Sequence, residues 1–289
     1  MIYSAAGLAI ICLIATGILD IVFKIYAAQP RSRGMLIFGI GVVWTLCHLS
    51  IISISDRSLE FNSATLIFGL AAATCVTLSN ILLVESFGHL PVSTASTIYR
   101  LNTLPLVLLA FVFLGEDLGY LRGTGIFLGV ITVLLLYSNR QDGTRNAHPH
   151  SLFLAVIMIA SVIRALYGIF TKIGIEAGAN QDAMILLAAT GWIAGGLIYA
   201  AWREKQLFIK PEKLPYMVIA GLLVYAIIWL ITEALTLGDA NLVMPIANMG
   251  FVAAFLISVL AGLEKINCRK AVAIGSAMLS IVALTLSTP

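Results

Sequence analysis

Charge is what this chain has least of. Asp, Glu, Lys and Arg make up 11% of its 289 residues, against 60% hydrophobic, a balance from which no water-soluble globular surface can be built. Cysteine is scarce as well: Cys12, Cys47, Cys75 and Cys268 lie far apart and form no C-x-x-C pair, so neither a redox couple nor a metal site of thiols is indicated. There is no G-x-x-x-x-G-K-[ST] phosphate loop, which excludes direct drive by ATP, and no H-E-x-x-H. No Ser or Asp constellation with catalytic spacing stands out. The reading is of a non-enzyme with no cofactor, no metal and no nucleic-acid partner.

What is present is hydrocarbon-compatible helix. The mean hydropathy is +1.02, and about 20 apolar residues suffice to cross a bilayer as a helix that satisfies its own backbone. Ten such stretches are predicted, at about 3–27, 33–55, 64–86, 91–114, 119–138, 151–175, 182–202, 214–236, 240–262 and 268–287. The first is read as a retained span, because it lacks a basic n-region, is too long for a secretory signal and carries Asp20 and Lys24.

With ten spans, the cations divide unevenly. Eleven fall on one face (Arg31, Arg33, Arg140, Arg145, Arg203, Lys205, Lys210, Lys213, Lys265, Arg269, Lys270), two on the other (Arg57, Arg122), and the remaining four of 17 inside spans. The positive-inside rule then makes the first face cytoplasmic and puts both termini outside.

One offset runs through the sequence. Shifting by 148 positions brings Lys24 onto Lys172, Trp44 onto Trp192, Glu85 onto Glu233, Glu116 onto Glu264 and Arg122 onto Lys270, with Ile21/Ile169, Val76/Val224 and Leu82/Leu230 on the same register. Residues 1–139 and 149–289 therefore read as two copies, joined by the polar stretch Ser138–His150. Five spans is an odd number, so the second copy must enter the membrane inverted. Inverted repeats around a midplane site are an architecture of secondary transporters.

FLGEDLGYLRGTGIFLGVITVLLLY in the first half, echoed by LAGLEKINCRKAVAIGSAMLSIVAL in the second, resembles the span 4 to span 5 signature of the EamA family in the drug/metabolite transporter superfamily. The resemblance covers about residues 3–138 and 151–287. It implies an all-α membrane protein of ten helices in two inverted five-helix repeats, with a cavity lined by spans 1, 3, 4, 6, 8 and 9 and with spans 5 and 10 outside. It also implies export of amino acids or similar metabolites across a bacterial-type inner membrane. Many relatives look basic after span 2 and keep their termini cytoplasmic, whereas DRSLE here is nearly neutral; the charge count of this chain gives the opposite orientation.

An ionisable side chain at mid-bilayer costs about 3 kcal/mol on insertion scales and turns toward an interior or a wet path. Arg100 and Arg164 lie deep in spans 4 and 6 without charged repeat mates, since Arg100 maps onto Asn248 and Arg164 onto Thr16. Both are candidate substrate ligands; the alternative is an arginine tied to helix carbonyls or to a buried carboxylate. Tyr99 and Asn102 flank Arg100, Tyr167 adjoins Arg164, and Trp229 and Asn248 complete the candidate set. Lys24 with Glu85, and Lys172 with Glu233, form matched sets at opposite mouths, read either as gating ion pairs or, for the lysines, as side chains snorkelling to headgroups. His48 is read as a proton carrier or a structural histidine. The expected partners are a small carboxylate-bearing molecule and lipid, with a coupling proton left open and a monomer as the assembly. Organic anions or phosphate esters are the alternative substrates, and multidrug export or a non-transporting scaffold comes behind them.

Overall fold

The computed structural model describes residues 4–55, 57–105, 108–109, 119–137, 147–208, 211–237, 243 and 246–286, and among these every regular element is helical. The α-helices are α1 (Ala5–Ala27), α2 (Arg33–Ile54), α3 (Ser63–Phe87), α4 (Val92–Arg100), α5 (Tyr120–Tyr137), α6 (Ala147–Glu176), α7 (Gln181–Tyr199), α8 (Leu214–Leu237), α9 (Gly250–Leu260) and α10 (Cys268–Leu286). Six segments, in α1, α2, α3, α6, α7 and α8, are long and apolar enough to cross a membrane. Large apolar side chains such as Ile10, Ile67, Leu134 and Leu279 are exposed on the outside of the bundle. These helices mark a multi-pass membrane protein.

Local chemistry sets the helix starts. Ser4, Ser32, Asn62 and Asn180 each accept a hydrogen bond from the backbone N–H three residues on, relieving one of the unpaired donors at their helix N-termini. α4 stops at Arg100, and the following turn at Leu101–Asn102 lies where the ring of Pro105 and its missing N–H act against residues three and four back. α7 continues into a π-helical turn, Ala200–Glu204, which Lys205 ends at a φ of 54°.

Three boundaries differ from the sequence reading: α4 ends at Arg100 inside the span read as 91–114, and α9 begins at Gly250 inside that read as 240–262. α6 begins at Ala147, inside the stretch read as a linker, so Pro149 occupies the first turn. There a proline is tolerated because its N–H would have had no intrahelical partner. Glu116, Pro245, Arg140, Arg145 and Lys210 lie outside the described residues.

Packing follows pairs of helices. α3 lies on α6 and α7, α1 on α8 and α9, α2 on α7 and α8, and α5 on α10. α2 and α7 run antiparallel along a seam of small residues. A Cβ at Gly34 would stand 2.6 Å from the Gly196 carbonyl oxygen, and one at Gly41 2.9 Å from that of Ala189, so the backbones touch where any side chain would hold them apart. α5 and α10 are antiparallel too, with Ser280 Oγ donating to the Gly125 carbonyl at 2.6 Å and Ser276 Oγ to that of Leu128 at 2.9 Å.

Candidate functional site

The helices line a partly open cavity of about 100 Å³. α1 brings Asp20 to it, α2 Trp44, α3 Asn80, α4 Tyr99 and Arg100, α6 Arg164 and Tyr167, and α7 Trp192, while α8 supplies the apolar stripe Val224, Ile227 and Ile228. Residues far apart in sequence, from both halves of the chain, thus share one wall. Of the spans that the family resemblance implies, 1, 3, 4, 6 and 8 contribute here, and Trp44 and Trp192 add spans 2 and 7.

Asp20 is 1% exposed. Its carboxylate accepts from Ser96 Oγ and faces Arg100 Nη2 at 3.8 Å. Arg100 was weighed against a buried carboxylate, and this is that carboxylate. The Arg100 side chain keeps 16% exposure, and its buried Nε has no hydrogen-bond partner among the described residues, so one of its donors is unanswered. Its guanidinium lies 5.8 Å from the Tyr99 ring, and that of Arg164 lies 4.7 Å from the Tyr167 ring, within the reach of a cation–π attraction. Ser79 Oγ and Tyr99 Oη are 3.3 Å apart. Asn80 Nδ2 donates to the Val76 carbonyl at 2.8 Å, leaving the amide oxygen. Trp44 and Trp192 meet edge to face at 5.7 Å and 87°.

Arg100, Arg164, Tyr99 and Tyr167 are therefore brought together as the sequence placed them. Asn102, Trp229 and Asn248 do not line this cavity. Trp229 is 51% exposed: at about 100° per residue it falls on the far side of α8 from the Val224–Ile227–Ile228 stripe. Asp20 is the cavity residue that spacing misses, since it stands one turn before Lys24 on the same helix and so reads as that lysine's neighbour. A signal existed, because Asp20 maps onto Gly168 at the 148 offset and is as unmatched as Arg100.

A second polar cluster closes one end of the bundle. Glu85 accepts from Arg33 and from the Tyr199 hydroxyl. Glu204 caps α2, taking the Arg33 N–H at 2.7 Å, the Gly34 N–H at 3.2 Å and the Ser32 hydroxyl. Lys24 Nζ donates to the carbonyls of Phe87 and Leu90, both at 2.8 Å. The Lys24–Glu85 ion pair is thus not formed in this structure. Lys24 answers the unpaired carbonyls at the α3 C-terminus, and Arg33 takes the carboxylate. Arg31 stacks over Tyr26 at 5.4 Å and Tyr216 at 4.9 Å. Glu264 accepts the Ser93 N–H and the Lys270 ammonium, both at 2.9 Å. Outside the spans, in the α3–α4 turn, His89 stacks on Phe153 at 3.7 Å; burial first, then Arg33, holds its imidazole below the ordinary value.

Lys172 is exposed and Glu233 half-buried. His48 Nε2 lies 3.0 Å from the Asp182 carbonyl oxygen, to which it donates, and this favours its structural role. No group of three or more metal-ligating side chains occurs among the described residues.

Comparison with known proteins adds the fold. Neither a family model nor a curated protein matches the chain. Among solved structures 28 chains match, one of them in a crystal structure of a protein, with a TM-score of 0.67 at 16% identity over 96% of each chain. That likeness speaks for a shared fold alone.

Proposed function

We propose that this protein is a secondary active transporter of small carboxylate-bearing metabolites, amino acids first among them, built as two inverted five-helix repeats of the EamA type. The observation that carries the reading is the meeting of Arg100 and Arg164, one from each half of the chain, in a single buried cavity with Tyr99, Tyr167, Trp44 and Trp192. Cations at bilayer depth are costly unless they face water, a partner or a ligand.

Three features support the inverted repeat. Residues one offset apart touch each other, 41 with 189, 44 with 192 and 128 with 276, as positions on a two-fold axis must. The helices they join, α2 with α7 and α5 with α10, are antiparallel, which is how an inverted copy meets its mate. Leu101 and Met249, also 148 apart, both mark breaks in helices, at the end of α4 and the start of α9; discontinuous helices at the repeat interface are characteristic of transporter sites. In this reading the protein resides in a bacterial-type inner membrane with both termini outside, and the Arg33–Glu85–Tyr199 cluster belongs to a cytoplasmic gate.

Purified protein in liposomes should accumulate or release labelled amino acids, and Arg100→Ala should lose this while still inserting. Absence of flux for amino acids and organic acids alike would refute the proposal. Organic anions or phosphate esters are the second reading, favoured by the excess of donors in the cavity, and the same assay with those solutes separates the two.

A further inference from the structure

The hydrogen-bonding groups around the cavity are lopsided. Trp44 is 4% exposed and Trp192 3%; both line the cavity, and neither indole Nε1 has a hydrogen-bond partner among the described residues. Ring packing explains the rings but not their dry N–H groups. An edge-to-face pair can satisfy at most one of the two through the other's π face, so at least one buried donor stays unanswered. Leaving such a donor unpaired is costly, and indole can only donate. Whatever relieves it must bring acceptors.

The remaining inventory points the same way. Arg100 contributes an unpaired Nε, and Arg164 carries donors only. Asp20, the one carboxylate among the described lining residues, is already engaged by Ser96 and Arg100, so the Asn80 amide oxygen stays as a neutral acceptor but no unengaged carboxylate is there to pair with an ammonium group. The two indoles are repeat mates in direct contact, so their donors come as a related pair. A carboxylate offers two acceptor oxygens for two donors, and about 100 Å³ holds a molecule of few heavy atoms.

From this we infer that Trp44 and Trp192 bind the oxygens of a small anion between the two halves, flanked by Arg100 and Arg164, and that the site recognises the carboxylate rather than an amino group. The inference rests on the reading of this cavity as the substrate site and names the chemistry selected there. A 2-oxo acid should bind as well as the amino acid of the same skeleton, and the amide of that amino acid should not bind.

The test uses protein with Trp202→Phe and Trp229→Phe, whose indoles are 83% and 51% exposed, leaving the cavity pair as the fluorophores of 4 tryptophans. Pyruvate and L-alanine should change the emission saturably, and L-alaninamide should not. Adding Trp44→Phe or Trp192→Phe keeps a ring and removes one N–H, and each should raise Kd about tenfold, the scale of a hydrogen bond to a charged group. Should a variant fail to fold, 15N-indole spectra of the unmodified cavity serve instead: the Trp44 and Trp192 N–H resonances should move downfield with pyruvate while that of Trp202 stays put. Unchanged Kd in both Phe variants overturns the indole role, even if Arg100→Ala abolishes binding and so upholds the cavity as the substrate site. Saturable binding of alaninamide but not pyruvate overturns the anion class. Flux in liposomes without any emission change or indole shift overturns this inference and leaves the transporter reading standing.

Discussion

Asp20 on α1 and Arg100 on α4 stand 3.8 Å apart, and both depart from the repeat, with Gly168 and Asn248 at the matching positions. Each charge is affordable at this depth because the other is there. Removing one member strands its mate, so Asp20→Ala should destabilise the protein by about 2–3 kcal/mol, somewhat below the range for fully buried pairs because Arg100 is partly exposed. The double variant Asp20→Leu/Arg100→Met should unfold at a higher temperature than either single one. A thermal melt in detergent measures this, and additive losses would show the pair to be independent.

Glu85 makes a second prediction, at the ends of α2, α3 and α7. With Arg33 and Tyr199 as its partners, Arg33→Glu should impair flux, and the swap Arg33→Glu/Glu85→Arg should recover part of it. Lys24→Met should cost less, since it removes a cap on two carbonyls rather than a charge partner. Equal deficits in the single and swapped proteins would remove this cluster from the proposed gate.

Gly196 tests the α2–α7 seam. A Cβ there would lie 2.5 Å from the Phe38 nitrogen and 2.7 Å from the Gly34 carbonyl oxygen, both backbone atoms that cannot step aside. Gly196→Ala should lower stability by about 1–3 kcal/mol, as overpacking does. By contrast Gly123→Ala, which meets nothing within 4 Å, should leave the melting temperature unchanged or raise it.

His89 gives a pH dependence with a definite sign. Its imidazole is held below the ordinary value, first by burial and then by Arg33, so the folded state favours the neutral ring. The unfolded chain takes up the proton at about pH 6.5, and stability should therefore decline as pH falls through that value and level off below the folded one. His89→Phe keeps the stack on Phe153 and should flatten this small slope between pH 7 and pH 5. An unaltered slope would assign it to other groups.

The helical membrane class was legible in the apolar runs, since nothing but helix satisfies a backbone in lipid, whereas the Ser and Asn caps that set four of the helix starts were not used in reading it. The 148 offset also paired Trp44 with Trp192, which meet edge to face. Asp20 was not legible as a site residue, because i+4 spacing tied it to Lys24 while tertiary packing turned it toward α4. Trp229 failed for the related reason that helical spacing groups residues on a face without saying which face turns inward. The partner of Glu85 was equally hidden: Arg33 begins the neighbouring helix, and only the arrangement of helix ends puts it within reach.

Where Gly34 faces Gly196 and Gly41 faces Ala189, α2 and α7 meet backbone to backbone, and further along the same seam Trp44 and Trp192 interlock edge to face. Such a contact fits like a key in its slot: a methyl added at either glycine of the first pair would part the helices, so the two are held to one spacing along their shared length.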